Sequence, residues 1–323
     1  MERRIVVWLY ICCFMVFAMA VIGAVTRLTE SGLSITEWKP VSGAIPPLNE
    51  AQWQHEYDLY RQSPEFHAKH FWMSLADFKH IFFWEWLHRL VGRLIGLVYT
   101  LPLLWFAIKK QIPPGYGWKF AGVLALGASQ GLLGWWMVES GLVTRPSVSH
   151  FRLAAHLVLA LTIYSCMWWL ALSVDGRRNA ADGTTKDYQL PSTVYHAMFS
   201  LALLVTTITW GAFTAGLHAG KIYNTFPLMD AQFTPTGAAH PLTEPGWVQF
   251  THRWLAITTG LTVLALAWRV RDAALAIMVF IQIGLGISTL LSSVWLPLGA
   301  LHQAGAVILL TLLLRTLYRT TRH

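Results

Sequence analysis

The chain has 323 residues, of which 55% are hydrophobic and only 12% are charged, and its mean hydropathy is +0.46. These values exclude an ordinary soluble globular protein and predict an integral membrane protein. The net charge of +8 comes from cations at the ends of apolar segments, so it does not indicate a nucleic-acid partner.

Eight apolar segments are long enough to cross a bilayer as helices, because a hydrocarbon core of roughly 30 Å requires about 20 helical residues. In chain order they span 5–26, 84–108, 118–138, 150–173, 194–217, 249–268, 273–293 and 298–318. The first segment follows Arg3 and Arg4 and lacks a small-residue cleavage site, so it is interpreted as a retained helix rather than a signal peptide. We therefore predict an all-α integral membrane protein with eight transmembrane helices.

The first long connection, residues 27–83, has local structure of its own. Asn49 is a typical N-cap for a helix that includes Tyr57, and Ser74 with Asp77 forms a capping-box pattern leading into the second segment. The aromatic residues of this connection form either a lid over a site in the first half of the chain or an interfacial belt, and the belt is the favoured interpretation.

Cations mark one set of segment ends. They are Arg3, Arg4, Lys109, Lys110, Arg177, Arg178, Lys186, Arg269, Arg271, Arg315, Arg319 and Arg322. By the positive-inside rule this is the cytoplasmic side. We expect both termini in the cytoplasm and the long connections 27–83 and 218–248 on the opposite side.

Matched motifs indicate an internal repeat. The corresponding residues are Gly23 and Gly211, His88 and His252, Gln130 and Gln282, and His156 and His302. Each half, 1–176 and 190–323, is therefore predicted to be a four-helix bundle. The halves run parallel because each crosses the membrane an even number of times.

Four histidines lie inside apolar segments, where ionisable side chains are costly and usually mark a site: His88, His156, His252 and His302. Each lies near the start of an even-numbered segment, so we expect all four at similar depth. Two imidazoles at one level on facing helices can ligate a six-coordinate heme iron. An interhelical hydrogen bond is the simpler alternative for any one of them, and copper or zinc also bind imidazole. No carboxylate or thiolate cluster accompanies them, so two heme sites are the favoured interpretation.

The remaining histidines and the cysteines are assigned no function. The histidines are His55, His67, His70, His80, His150, His196, His218, His240 and His323. Cys12 and Cys13 are adjacent in the first segment and Cys166 lies in the fourth, so no disulfide is expected.

The two halves differ beside the first histidine pair. Glu85 lies one helical turn before His88, whereas its counterpart Gln249 cannot ionise. A buried carboxylate can move protons or stabilise a cation, although pairing with Arg89 is a structural alternative. Arg89 and Arg253 each follow a histidine, and can either bind heme propionates or extend to the lipid headgroups.

The histidine array alone fits a diheme b-type cytochrome for quinol electron transfer or a heme carrier equally well. Its wider motif set resembles heme A synthase, of the type shared by alphaproteobacteria and mitochondria, over essentially the whole chain. The matching stretches are Gly23–Ser34, Pro64–Phe66, Glu85–Arg93, Arg152–His156, Gln249–Arg253 and Leu301–Gln303. The other type in this family carries paired cysteines in its outer loops, and this chain has none there.

The resemblance implies oxidation of the ring-D methyl of heme O to the formyl group of heme A, for terminal oxidases. It implies that His88 and His156 face heme O, that His252 and His302 ligate heme b, and that Glu85 is the essential carboxylate. It further implies a multi-pass protein of the bacterial inner membrane that contacts lipid, a heme O synthase and an electron acceptor. A homo-oligomer is also expected, whereas a nucleic-acid partner is not.

Overall fold

The computed structural model describes residues 2–39, 42–143, 145–180 and 191–321, and gives the backbone alone for 178–180. Lys186 and Arg322 therefore lie outside the described residues, as does the side chain of Arg178. Within these ranges the secondary structure is helical apart from one isolated bridge. The α-helices are α1 Glu2–Leu28, α2 Glu50–Arg61, α3 Leu75–Ile108, α4 Gly117–Leu142, α5 His150–Ala180, α6 Pro191–Gly216, α7 Pro245–Val270, α8 Ala273–Leu291 and α9 Leu296–Thr321.

Among the described residues, seven helices are long and apolar enough to cross a membrane, which makes the chain a multi-pass membrane protein. They are α1, α3, α4, α5, α6, α8 and α9. The predicted span 249–268 does form a helix, the 26-residue α7, but α7 is not in this set. Its early turns carry Gln249, His252 and Arg253, which lower its hydropathy. The prediction of eight spans is thus confirmed for seven.

Both predicted helix starts in the first connection are confirmed. The side chain of Asn49 accepts a hydrogen bond from the backbone N–H of Gln52 at 2.9 Å and begins α2. Ser74 and Asp77 form a complete capping box. Because that box starts the helix at once, α3 begins at Leu75, nine residues before the segment predicted from hydropathy alone.

The two long connections meet at one end of the helix bundle, which we call the capped end and define by residues 29–39, 42–74 and 217–244. Glu30 of the first connection lies 3.4 Å from His218 of the second. Arg27, in the last turn of α1, donates a hydrogen bond to the carbonyl of Ala215 at 2.8 Å. Asn224 donates to the carbonyl of Leu290, at the end of α8, at 2.8 Å. The connections therefore cover helix ends from both halves of the chain.

Apolar packing is concentrated away from the capped end. The fully buried side chains of this hydrophobic core include Ile5, Leu9, Leu266, Leu310 and Leu313. Helix α1 contacts α3, α5 and α9, and α5 contacts α6, so one hydrophobic core joins the two halves. All three cysteines are free, as expected.

Candidate functional site

The four histidines singled out from the sequence lie on α3, α5, α7 and α9, each at the part of its helix nearer the capped end. His156, His252 and His302 are about two turns from the starts of their helices. His88 lies further from the start of its helix than the other three, because α3 begins before its apolar segment does. His88 interacts electrostatically with His156, and His302 with His252. The chain thus brings the histidines together in two pairs, one from each half.

Every one of these imidazoles lies against a glycine of a neighbouring helix. A Cβ placed on Gly134 or on Gly286 would lie 3.0 Å from Cε1 of His156 or His302 respectively, closer than ordinary van der Waals contact. A Cβ on Gly211 would lie 3.1 Å from Cε1 of His252, and one on Gly23 would lie 3.3 Å from Nε2 of His88. The missing side chains let each ring pack directly on backbone.

Two glutamines hold the rings on α5 and α9 in matching ways. Gln130 donates its amide N–H to the carbonyl of His156 at 3.0 Å, and its Nε2 lies 3.2 Å from Nδ1 of the same residue. Gln282 repeats both contacts on His302, at 3.0 and 3.1 Å. The internal repeat had matched these two glutamines with each other, but only the structure shows that they contact the histidines.

The ring of His252 has a different partner. Its Nδ1 lies 3.1 Å from the carbonyl oxygen of Thr207. A carbonyl only accepts, so Nδ1 carries the proton and the lone pair of Nε2 is available to a metal. This is the tautomer in which His252 would hold a heme iron through Nε2.

Glu85 is buried and its carboxylate is fully hydrogen-bonded. One oxygen accepts from Arg89 at 2.6 Å, and the other accepts from the hydroxyl of Ser34 at 2.7 Å and the backbone N–H of Ile35 at 2.8 Å. Glu85 is 3% exposed. The carboxylate therefore ties α3 to the first connection beside the His88 pair, and the pairing with Arg89 that the sequence left open is present.

The two arginines next to the histidines bind the connections rather than extending freely. Arg89 donates to the carbonyl of Ile35 at 2.9 Å. Arg253 donates to the carbonyls of Tyr223 and Thr225 at 2.7 and 2.9 Å. From the sequence, the expected partners of the two arginines were heme propionates or lipid headgroups. These contacts with loop carbonyls were not predicted, because a loop contact has no sequence signal. Both arginines hold the capped end against a histidine-bearing helix.

The counterpart of Glu85 occupies an equivalent place without an ionisable group. Gln249 is 2% exposed, and its Nε2 donates to the carbonyl of Tyr223 at 3.1 Å. Both side chains thus anchor a connection to a helix, one as an anion and the other as a neutral amide. The predicted difference between the halves is a difference of charge at matched positions.

The donor set fits heme better than a bare metal ion. Among the described residues, no group of three or more His, Cys, Asp or Glu side chains gathers in a way that could hold an ion. Paired imidazoles need no further protein ligand when a macrocycle supplies four nitrogens. In the part of the chain that the structure describes, the buried amide oxygens of Gln130 and Gln282 have no hydrogen-bond partner.

Fold and site together define a class: a multi-pass α-helical membrane protein with two matched pairs of histidines inside its bundle. The family model described as cytochrome oxidase assembly protein, COX15-CtaA, matches residues 6–314. The chain belongs to this family.

Several relatives are similar over nearly their whole length. The heme A synthase of Rhodospirillum centenum is 49% identical, covering 98% of this chain and 88% of its own. The heme A synthase of Paramagnetospirillum magneticum is 44% identical, covering 100% and 95%. That of Nitrosospira multiformis is 43% identical, covering 96% and 91%.

Proposed function

We propose that this protein is a heme A synthase, an oxidoreductase that converts the ring-D methyl of heme O to the formyl group of heme A. The observation that carries the proposal is similarity to heme A synthases at 49% and 44% identity over nearly the whole chain. The paired histidines and the buried Glu85 supply the type of site that such a reaction requires.

The second-half pair, His252 and His302, ligates a heme b cofactor, and a bound heme b supplies one-electron redox chemistry. Support comes from the Thr207 carbonyl, which fixes the ligating tautomer of His252, and from the absence of an ionisable counterpart to Glu85. His302→Ala should abolish the low-spin heme b spectrum, because one of the two imidazoles that would hold the iron is lost. An unchanged reduced-minus-oxidised spectrum would contradict this assignment.

The first-half pair, His88 and His156, binds the substrate heme O. Glu85 is the carboxylate that takes part in the reaction. It lies one turn from His88, and it can ionise at the position where the second half has the neutral Gln249. Arg89 holds Glu85 and the first connection in place. Arg89 and Arg253 also carry the positive charge that would attract heme propionates at the capped end.

The architecture we propose is two pseudo-repeated four-helix bundles, residues 1–176 and 190–323, with α7 as the eighth span. Matching glycine contacts on His156 and His302, at the same 3.0 Å, support the repeat. The basic residues near the helix ends opposite the capped end favour cytoplasmic termini in a bacterial inner membrane. A heme O synthase and an electron acceptor are the expected partners, and a homo-oligomer is the expected assembly.

Heme analysis of the purified protein tests the function against its two alternatives. Organic extraction and chromatography should recover heme O or heme A beside heme b. Heme b alone would instead indicate a diheme cytochrome. Loosely held heme that exchanges with added heme would indicate a carrier.

A further inference from the structure

A second group of buried ionisable side chains lies at the capped end, separate from the histidine pairs. The hydroxyl of Tyr60, on α2, is 3.2 Å from a carboxyl oxygen of Glu65 and 2.6 Å from Nδ1 of His70. The other ring nitrogen of His70 is 3.7 Å from Glu30. Tyr60 thus joins Glu65 and His70 through hydrogen bonds, and His70 reaches Glu30 through an ion-pair contact that is longer than a hydrogen bond.

Exposure is greatest at the Glu30 end of this series of four residues. Tyr60 is 0% exposed and Glu65 is 3% exposed, whereas the side chain of Glu30 is 27% exposed. Glu30 also faces His218 of the second connection at 3.4 Å. The series therefore leads from the protein interior to the aqueous face of the capped end.

The inner end of the series is electrostatically linked to the proposed reaction site. The charge of Glu85 acts on both Glu65 and Tyr60. Glu85 and Glu30 are also joined through one segment of the first connection, since Ser34 and Ile35 donate directly to Glu85. Glu65 is thus the buried carboxyl at the inner end of the series, and its link to Glu85 is electrostatic rather than a hydrogen bond.

The pKa shifts differ along the series, and only that of Glu65 moves toward neutral pH. Burial raises the pKa of Glu65 to about 8, against the opposing effect of Lys69, so the carboxyl can hold and release a proton. Burial lowers the pKa of His70. Burial also opposes ionisation of Glu30, but its cationic neighbours outweigh it and lower its pKa. The titratable and charged groups facing Glu65 and Glu30 are Arg27, Tyr60, Lys69, His70, Glu85 and His218.

We propose that Glu65, Tyr60, His70 and Glu30 form a proton-transfer path between the Glu85 end of the site and the aqueous face of the capped end. This inference rests on the proposed function, since oxidation of a methyl to a formyl group moves protons as well as electrons. The path itself carries protons only, and it can conduct in both directions because each member both donates and accepts.

Each transfer conserves protons. The carboxyl of Glu65 gives its proton to the oxygen of Tyr60 as the hydroxyl proton of Tyr60 passes to Nδ1 of His70. The proton on Nε2 of His70 then passes to the carboxylate of Glu30 through a water molecule that bridges the 3.7 Å between them, and exchange of tautomers restores the imidazole. No electron and no covalent bond between heavy atoms is involved.

The test compares two variants of the path with two matched controls. Glu65→Gln keeps the shape of the side chain but cannot ionise, and Tyr60→Phe removes the hydroxyl that links Glu65 to His70. The first control is Glu56, which lies on α2 like Tyr60 and forms an ion pair with Lys39 at 3.0 Å; Glu56→Gln breaks that pair. Tyr57→Phe removes a hydroxyl that donates to the carbonyl of Met73.

Heme O conversion by the full-length protein is measured in H₂O and D₂O, together with protein level and the heme b spectrum. We expect Glu65→Gln and Tyr60→Phe each to slow conversion at least tenfold with a larger solvent isotope effect, and both controls to convert at the wild-type rate. Added acetate, a small carboxylic acid, should restore part of the rate of Glu65→Gln.

Three results would overturn the path while leaving the proposed function intact. They are wild-type conversion by Glu65→Gln, equal slowing in path variants and controls, or loss of protein in both path variants, which indicates a structural role. Failure of the wild-type protein itself to convert heme O would instead refute the proposed function.

Discussion

Replacement of Glu85 by glutamine separates a chemical role of this carboxylate from a structural one. The carboxylate of Glu85 accepts two hydrogen bonds from Arg89, at 2.6 and 3.1 Å, and two from the first connection. Glutamine retains the shape of the side chain and one accepting oxygen. Its amide nitrogen is itself a donor, however, and would lie opposite groups that also donate. If the amide faces Ser34 and Ile35, the hydroxyl of Ser34 can rotate to accept, so one buried N–H loses its partner.

That loss sets the expected effect on stability. A buried donor without a partner costs about 1–3 kcal/mol. Arg89 adds less than a fully stranded charge would, because its guanidinium keeps the carbonyls of Ile35 and Glu37 as acceptors. The cost of Glu85→Gln therefore stays below the total stability of about 5–15 kcal/mol typical of folded domains. We therefore expect Glu85→Gln to fold and to retain heme b. Loss of a group that transfers protons in a reaction typically lowers the rate about 10²–10⁴-fold, so heme A should fall while heme O or a partly oxidised intermediate accumulates.

The matched control is Arg89→Gln, which breaks the same ion pair and leaves the carboxylate in place. Pair-breaking in a buried setting costs about 3–5 kcal/mol when one charge is stranded. A purely structural role for Glu85 predicts parallel losses of protein and of both hemes in the two variants. The assay is heme extraction from equal amounts of purified protein. Normal heme A yield from Glu85→Gln would refute the catalytic assignment.

Three further predictions concern ring packing, orientation and pH. Gly286→Ala should displace the His302 ring and alter the heme b spectrum, whereas Gly284→Ala should not, because a Cβ at Gly284 meets nothing within 4 Å; equal spectra for both variants would contradict this packing. Alkaline phosphatase fused within the connection between α6 and α7 should be active and within that between α3 and α4 inactive, and the reverse result would overturn the orientation. Because the folded pKa of Glu65, about 8, lies above its ordinary value of 4.5, its contribution to stability is lost as pH rises between these values. Between pH 4.5 and about 8, thermal unfolding in detergent should therefore show a smaller loss of stability with rising pH for Glu65→Gln than for wild type, and identical slopes in this range would contradict the shift.

Hydropathy and capping signals were sufficient to predict most of the fold. Each predicted apolar segment became a helix, because long apolar runs can satisfy their backbone groups within a membrane only by forming helices. Two details were missed for identifiable reasons. The start of α3 is set by the Ser74 capping box in polar sequence, and α7 carries enough polar residues to fall short in hydropathy.

The candidate site was predictable where residues repeat and unpredictable where contacts depend on folding. The histidines and Glu85 were found because ionisable groups inside apolar segments stand out. The role of Arg253 was not, since its partners are loop carbonyls that have no side-chain signature. His70 received no function from sequence, because only folding brings it beside Tyr60.

The most direct test of the account is conversion of heme O by the protein in cells. The chain is expressed with a heme O synthase in a host that makes heme O but no heme A, and extracted hemes are separated by chromatography. Wild-type protein should produce heme A, and the His88→Ala variant should leave heme O unconverted while heme b stays bound. Heme O that remains unchanged with the wild-type protein, at normal protein level and heme b content, would contradict the proposed function.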